Sequence, residues 1–298
     1  MKPPMFAPAR FFLGCLLLLG AGGVTAGISV QDDAGRTVTL AKPAQRVVSL
    51  APHLTEMLFA AGAGGRIVGT IEHSDYPEAA EKIPRIGSSA GLDLEAILGL
   101  RPDLIVVWKS GNPARQVERL HELGFPVYVS EPRRLADIAA SIERLGKLAG
   151  TDAVARRAAR EFRVGLDALR ARPGARPQVR VFYQVLDPLL ITVNGQHMIG
   201  DILQLCGGEN VFAGLPALAP RVDLEAVLAA NPEAIIAGGT EAVWREWLAR
   251  WRAWPRLRAV QRDNLFFIPA DIVHRHGPRI LQGAEAICAA LEQARSRR

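Results

Sequence analysis

The sequence predicts an α/β protein made of two Rossmann-like lobes joined by a single long α-helix, and three observations carry that expectation. Short apolar runs rich in branched residues alternate with helical patterns, which marks parallel βα units rather than a sandwich or a bundle. The stretch LDLEAILGLRPDLIVVW, Leu92 to Trp108, returns 130 residues later as VDLEAVLAANPEAIIAG, Val222 to Gly238. Between the two copies, Thr151 to Arg172 is rich in Ala, Arg, Leu and Glu, which suits a stiff helix and not a flexible linker.

The chain begins with Lys2 and Arg10, an apolar run from Phe11 to Leu19, and small residues ending in Val24-Thr25-Ala26. This is the layout of a cleavable secretory signal peptide over 1–26, so the mature protein is expected outside the cytoplasm. A lipid-modified Cys15 fits poorly, because most of the hydrophobic run follows it. No segment has the ~20 apolar residues of a membrane-spanning helix. Loss of Lys2 and Arg10 lowers the formal charge from +6 to +4. Arginine is scattered rather than gathered in a stripe, so the mild positive balance gives no reason to expect nucleic acid.

A chain of 298 residues that is 49% hydrophobic is long enough for two cores of ordinary size. The first lobe, 27–150, should hold strands at Arg46–Leu50, Ile67–Thr70, Leu104–Trp108 and Val127–Ser130. A linker helix over 151–173 follows, with Thr151 or Asp152 as its N-cap and Pro173-Gly174 as its stop signal. The second lobe, 174–298, should hold strands at Val179–Val185, Leu190–Val193, Ala234–Ala237 and Leu265–Ile268. With Cys15 removed, Cys206 and Cys288 are left either to pair in an oxidising compartment or to lie buried as free thiols.

Each copy of the repeat reads as an amphipathic helix opened by Asp93 or Asp223, a turn at Pro102 or Pro232, and a buried strand. Both copies keep an acid in the first helical turn, Glu95 and Glu225. The macrodipole alone rewards such an acid by roughly 0.3–1 kcal/mol, so capping chemistry is one reading of them.

Catalytic motifs are thin. GSSAG at Gly87–Gly91 formally fits a nucleophile elbow with Ser89 as the nucleophile of a secreted serine hydrolase, but charged, Pro-broken residues precede it where a buried strand is required. GAGG at Gly62–Gly65 follows a helix and reads as its C-cap. Trp244, Trp247, Trp251 and Trp254 recur at helical spacing and read as packing against the second lobe's sheet.

Ligands of open α/β sheets gather outside the carboxyl ends of the strands. That rule nominates Ala51–His53, Glu72–His73, Trp108–Ser110 and Ser130–Pro132 from the first lobe. From the second it nominates Asp187 and its neighbours, Gly238–Thr240, and PADIVHRHGPR at Pro269–Arg279, which includes Asp271, Ile272, Val273, His274 and Arg275. Trp108 ends an apolar strand where a flat ring could cover a planar ligand. His274 and His276 are two apart and could face one way in extended backbone, as metal ligands or as ordinary surface histidines.

Five segments together give the chain a family resemblance: RVVSLAPHLTEMLFAAGAG at Arg46–Gly64, HSDYPEAAEKIP at His73–Pro84, GLDLEAILGLRPDLIVVW at Gly91–Trp108, CGGENVF at Cys206–Phe212, and PRI before Cys288. It resembles the helical-backbone (class III) substrate-binding proteins of ABC importers, above all the cobalamin-binding members. The resemblance implies a monomeric periplasmic protein without enzymatic activity or cofactor, which carries cobalamin or a related corrinoid to a dimeric inner-membrane permease.

It places Glu95 and Glu225 at the family's permease-docking acids and Cys206 and Cys288 at its disulfide. Trp108 falls at a ligand-contacting tryptophan, His73 at a ligand-contacting tyrosine, and Asp271 and Arg275 at polar contacts. Ser89 and Ala219 stand where the cobalamin pocket has aromatic rings, and Leu190-Ile191 at or beside a third. With those rings replaced and His53, His73, His274 and His276 on offer, haem or a ferric siderophore is the alternative cargo.

Overall fold

The computed structural model describes residues 1, 27–171, 177–186 and 189–298. The expected signal peptide beyond Met1, the Pro173-Gly174 stop signal and Asp187 lie outside the described residues.

A hairpin opens the fold: β1 (Ile28–Gln31) pairs antiparallel with β2 (Thr37–Leu40), in register Ile28 to Leu40. Its turn is held by Asp32, whose carboxylate accepts from the N–H groups of Ala34 and Arg36, with Gly35 at φ 80. The hairpin was not among the elements expected from sequence.

In the first lobe, β3 (Val47–Ser49), α1 (Pro52–Ala60), β4 (Ile67–Thr70), α2 (Leu94–Leu100), β5 (Leu104–Trp108), α3 (Ala114–Glu122), β6 (Val127–Ser130) and α4 (Leu135–Ala149) follow in turn. The strands form one parallel sheet in the order β4-β3-β5-β6. Then α5 (Asp152–Arg170) runs about 28 Å at 1.5 Å per residue.

The second lobe comprises β7 (Val179–Gln184), α6 (Met198–Leu205), β8 (Gly208–Asn210), α7 (Leu224–Ala230), β9 (Ala234–Gly239), α8 (Glu241–Arg252), α9 (Arg258–Gln261), β10 (Leu265–Pro269), α10 (Ala270–Val273) and α11 (Ile280–Ser296). Its sheet has the order β10-β9-β7-β8, all parallel. Read from the far edge, both sheets place their second strand outside the first and their third and fourth on the other side. Each therefore has a switch point between its first and third strands.

The second lobe departs from expectation at one strand. Leu190–Val193 forms only isolated bridges, from Ile191 to Leu186 and to Arg221, and the fourth strand is β8 instead. The aliphatic run at Leu190–Val193 buries Thr192 and Val193 against the sheet without joining its ladder.

The repeat is structural as well as textual. Asp93 and Asp223 cap α2 and α7 by accepting from Ala96 N at 2.9 Å and Ala226 N at 2.7 Å. Both helices end on a left-handed non-glycine residue, Arg101 at φ 44 and Asn231 at φ 43. The acid after each Pro turn is reused too: Asp103 accepts from the N–H groups of Gln45 and Arg46, and Glu233 from that of Arg180.

The hydrophobic interior is partly shared between the lobes. One continuous cluster runs from Val47, Leu104 and Val106 of the first sheet through α1, α4, α5, α6 and α11 to Val181, Tyr183 and Ile236 of the second. Each sheet also has a private outer cluster, around Ile97 and Leu120 in the first lobe and around Val227 and Trp251 in the second. The linker helix is thus a packed wall: at Gly165 an added Cβ would come within 2.8 Å of Leu281 on α11. Shared burial of this kind resists wide hinge opening.

Cys206, just past α6, is joined to Cys288 in α11 by a disulfide. No described helix is long and apolar enough to cross a membrane.

Candidate functional site

The carboxyl ends of the two sheets face each other, and α1 of the first lobe contributes His53 and Glu56 to the contacts between them. His53 and Glu56 are three residues apart on this helix and so share a face. Glu56 is buried and accepts two hydrogen bonds from Arg279 of the second lobe, Nε at 3.0 Å and Nη2 at 2.6 Å. Arg275 reaches the same carboxylate at 3.6 Å, grips Asp75 of the first lobe at 2.5 Å and pairs with Asp271 at 2.8 Å. The hydrogen bond from Arg275 holds the Asp75 carboxyl below its ordinary range. The Arg279 guanidinium also lies over the Tyr76 ring, 4.0 Å from its centroid.

Beside this ion-pair network lies a group of imidazoles. His53 from α1 meets His276 from the turn before α11, with ring centroids 5.9 Å apart. His276 in turn meets His197, the N-cap of α6, at 5.1 Å. Trp108, at the end of β5, contacts both His53 at 5.1 Å and His276 at 6.0 Å. His274 pairs through Nε2 with the Tyr183 hydroxyl at 3.0 Å. Gly238 permits this approach, since a Cβ there would stand 2.2 Å from that hydroxyl.

Burial holds every one of these imidazoles neutral. His53 is pushed down to about 3, and His197 and His274 to about 4, by desolvation. His276 lies well below 6.5, chiefly through burial and then through its histidine neighbours. Among the described residues, no three His, Cys, Asp or Glu side chains are arranged to hold a metal ion.

Asn112 holds the first lobe's switch point together. Its amide donates to Leu50 O at 2.7 Å, at the end of β3, and accepts from Trp108 N at 2.7 Å, at the end of β5. Gly111 leaves room for the Trp108 ring, which an added Cβ would approach to 1.8 Å.

The sequence-nominated residues separate. Trp108 joins the imidazole group through His53 and His276, His274 bonds Tyr183, Arg275 belongs to the ion-pair network, and Asp271 lies exposed on α10 within reach of Arg275. Ile272 packs against the shared core, and Val273 is fully buried in it and presents no surface to a ligand. His73 is exposed, at φ 63, and makes none of the ring contacts of the cluster. His274 and His276 differ in partners: one bonds Tyr183, the other faces His53 and His197.

Ser89 is exposed in the loop bridged by Gly87 and Leu92, and its hydroxyl has no hydrogen-bond partner among the described residues. A 3-10 turn at Glu78–Lys82 and a single bridge at Arg85 precede it in place of the strand an elbow needs. Of the tryptophans, Trp247 and Trp251 are buried, Trp251 donating to Gln184 at 2.7 Å. Trp254 lies beyond α8 and is 40% exposed, outside the packing expected for it.

Glu95 and Glu225 are exposed in the first turns of α2 and α7, without an ion-pair partner among the described residues.

Sequence reasoning overlooked Glu56, Asp75, Asn112 and His197. For Glu56 a signal existed: a lone acid in the otherwise apolar run LTEMLFAAGA needs a buried partner.

Comparison with known proteins agrees with this architecture. A family model described as periplasmic binding protein matches residues 47–272. The chain is 38% identical over 262 residues to a vitamin B12-binding protein of Vibrio vulnificus, covering 86% of this chain and 94% of that one. It is 35% identical over 248 residues to a vitamin B12-binding protein of Yersinia pestis, covering 83% and 86%. The crystal structure of the periplasmic vitamin B12-binding protein of Vibrio cholerae superposes with a TM-score of 0.77 at 37% identity, covering 85% of this chain and 98% of that one. A periplasmic heme-binding protein from Roseiflexus shares the fold, with a TM-score of 0.73 at 22% identity over 84% and 98% of the chains. The two-lobed architecture, the cleft at the strand ends and these matches make the chain a member of the periplasmic binding protein family.

Proposed function

We propose that this chain is the periplasmic substrate-binding component of an ABC importer, capturing cobalamin or a related corrinoid between lobes spanning 27–150 and 174–298. The observation that carries this reading is the meeting of the two lobes' strand ends around Trp108. Trp108 stands half-buried at a switch point, where a large planar ligand would lie against its ring, and relatives of near-complete coverage are vitamin B12-binding proteins.

The protein acts by binding alone, with Ser89 outside any catalytic arrangement. Glu95 and Glu225 serve as matched docking acids for the two halves of a permease dimer, one acid per lobe, and the binding protein acts as a monomer. Both are exposed on corresponding helices, which is what a two-fold partner requires. Export through the signal peptide at 1–26 delivers it to the periplasm.

Haem or a ferric siderophore is the second reading, favoured by the imidazoles gathered in the cleft. Titration of the mature protein with cobalamin, cobinamide, haem and a ferric siderophore, followed by visible absorbance, separates the two. A saturable one-to-one response to a corrinoid supports the first reading. Tight haem binding with no corrinoid response replaces it by the second.

A further inference from the structure

We infer that His53, His197 and His276, with the Trp108 indole, form an uncharged hydrogen-bonding floor that selects a cargo bearing carboxamide arms over one bearing carboxylates. The inference rests on the corrinoid reading above and adds to it the residues that would read the periphery of the ring.

Three imidazoles come from three separate elements, α1 of one lobe and the α6 N-cap and α10–α11 turn of the other: His276 contacts His53, His197 and Trp108, and His53 also contacts Trp108. Their nitrogens can be followed individually. His197 Nδ1 accepts from Ile199 N–H at 3.2 Å, so its proton sits on Nε2, which is a donor and is unsuited to a metal. His53 Nε2, His276 Nδ1 and Trp108 Nε1 are buried without any hydrogen-bond partner. Buried polar atoms normally have partners, and three orphans on rings in mutual contact where the two lobes meet point to a ligand group that supplies them.

The chemistry of that group follows from what the floor can offer. An indole N–H only donates, whereas a neutral imidazole donates from one nitrogen and accepts at the other. A primary carboxamide, with two donor hydrogens and an accepting oxygen, satisfies such a mixed set. A carboxylate only accepts, and its charge needs a cation or several donors.

Two of the guanidiniums here are already engaged, Arg279 with Glu56 and Arg275 with Asp75 and Asp271, while Arg133, whose charge is felt at His197, is turned 45% to solvent, 4.0 Å from Glu131. Burial keeps the imidazoles themselves from charging near neutrality. The floor therefore recognises polar arms without being able to neutralise a negative one.

The test compares two forms of one ligand: a fully amidated corrinoid, and the same corrinoid with side-chain amides hydrolysed to carboxylates. Calorimetric affinities for the wild-type chain should favour the amidated form at least tenfold. In the double variant His53→Leu, His276→Leu that ratio should fall towards one, while His53→Asn, His276→Asn, which restores neutral donors and acceptors, should keep it.

Thermal melts of each variant separate a lost fold from a lost preference, and the wild-type ratio remains decisive if the leucine variant does not fold. Equal affinity of the wild type for both forms, or an unchanged ratio in a folded leucine variant, overturns the inference. A wild type that binds neither form overturns the corrinoid reading itself, which is a different result.

Discussion

Glu56 of the first lobe and Arg279 of the second form a two-point ion pair across the cleft, with the glutamate side chain 2% and the arginine side chain 17% exposed. A buried pair of this kind contributes little net stability when intact, but losing one partner strands a charge at a cost of about 3–5 kcal/mol. Arg279→Met leaves Glu56 only the longer Arg275 contact at 3.6 Å and should therefore lower unfolding free energy by a few kcal/mol in a urea titration. Glu56→Met, Arg279→Met together should recover much of that loss. Equal destabilisation by the single and the double variant would show that the two side chains do not act as a pair.

The imidazole cluster makes the fold acid-sensitive. His53, His197, His274 and His276 have folded-state values depressed below the unfolded 6.5, so the unfolded chain takes up protons first as pH falls. Their contribution is fully present above about pH 6.5 and is lost as pH descends towards about 4 and then 3. Melting temperature should thus be flat from pH 8 to 7 and drop steeply between pH 6 and 4. His53→Leu should make that drop shallower, and a melting temperature that holds level down to pH 4 would refute the neutral-cluster description.

The Cys206–Cys288 disulfide closes a loop with a sequence separation of 82. Chain entropy assigns such a loop about 4–5 kcal/mol of stabilisation. Cys206→Ser, Cys288→Ser should shift the denaturant midpoint down accordingly. Cys206 caps the C-terminal end of α6, opposite its His197 N-cap, so ligand affinity should be retained in the folded fraction, as calorimetry below the lowered transition would record.

Glu95→Lys with Glu225→Lys should abolish stimulation of the importer's ATPase in reconstituted vesicles while leaving ligand affinity within about twofold. Each reversal places a cation where a docking arginine would approach, an arrangement that costs binding through like-charge contact. Undiminished stimulation would assign these acids to helix capping alone.

The parts of the fold that rest on a period were legible in the sequence. The strands β3 to β6 follow branched apolar runs, and α2 and α7 start on an aspartate and stop before a proline in both copies. What escaped was settled by tertiary contact. At three residues reading Gly-Glu-Asn, β8 has no hydrophobic alternation, and it is a strand because β7 offers it a free edge. Leu190–Val193 looks like a strand by composition, yet finds no place in the ladder.

The site divides in the same way. Trp108 is visible as a large ring at the end of an apolar strand. The convergence of His53, His197 and His276, which stand 144 and 79 residues apart in the chain, depends on how two lobes close on each other and leaves no local trace. Val273 shows the converse: it lies inside a stretch chosen for its strand-end position, but α10 turns its side chain into the core.

The most direct test of the central claim is the calorimetric affinity for cobalamin of the mature chain and of its Trp108→Ala variant. An aromatic face against a planar ligand contributes about 2 kcal/mol, or roughly thirtyfold in affinity. One molecule should bind per chain, and the folded variant should bind about thirtyfold more weakly. Equal affinities in the two proteins, or no heat from the wild type, would contradict a corrinoid held against Trp108 between the lobes.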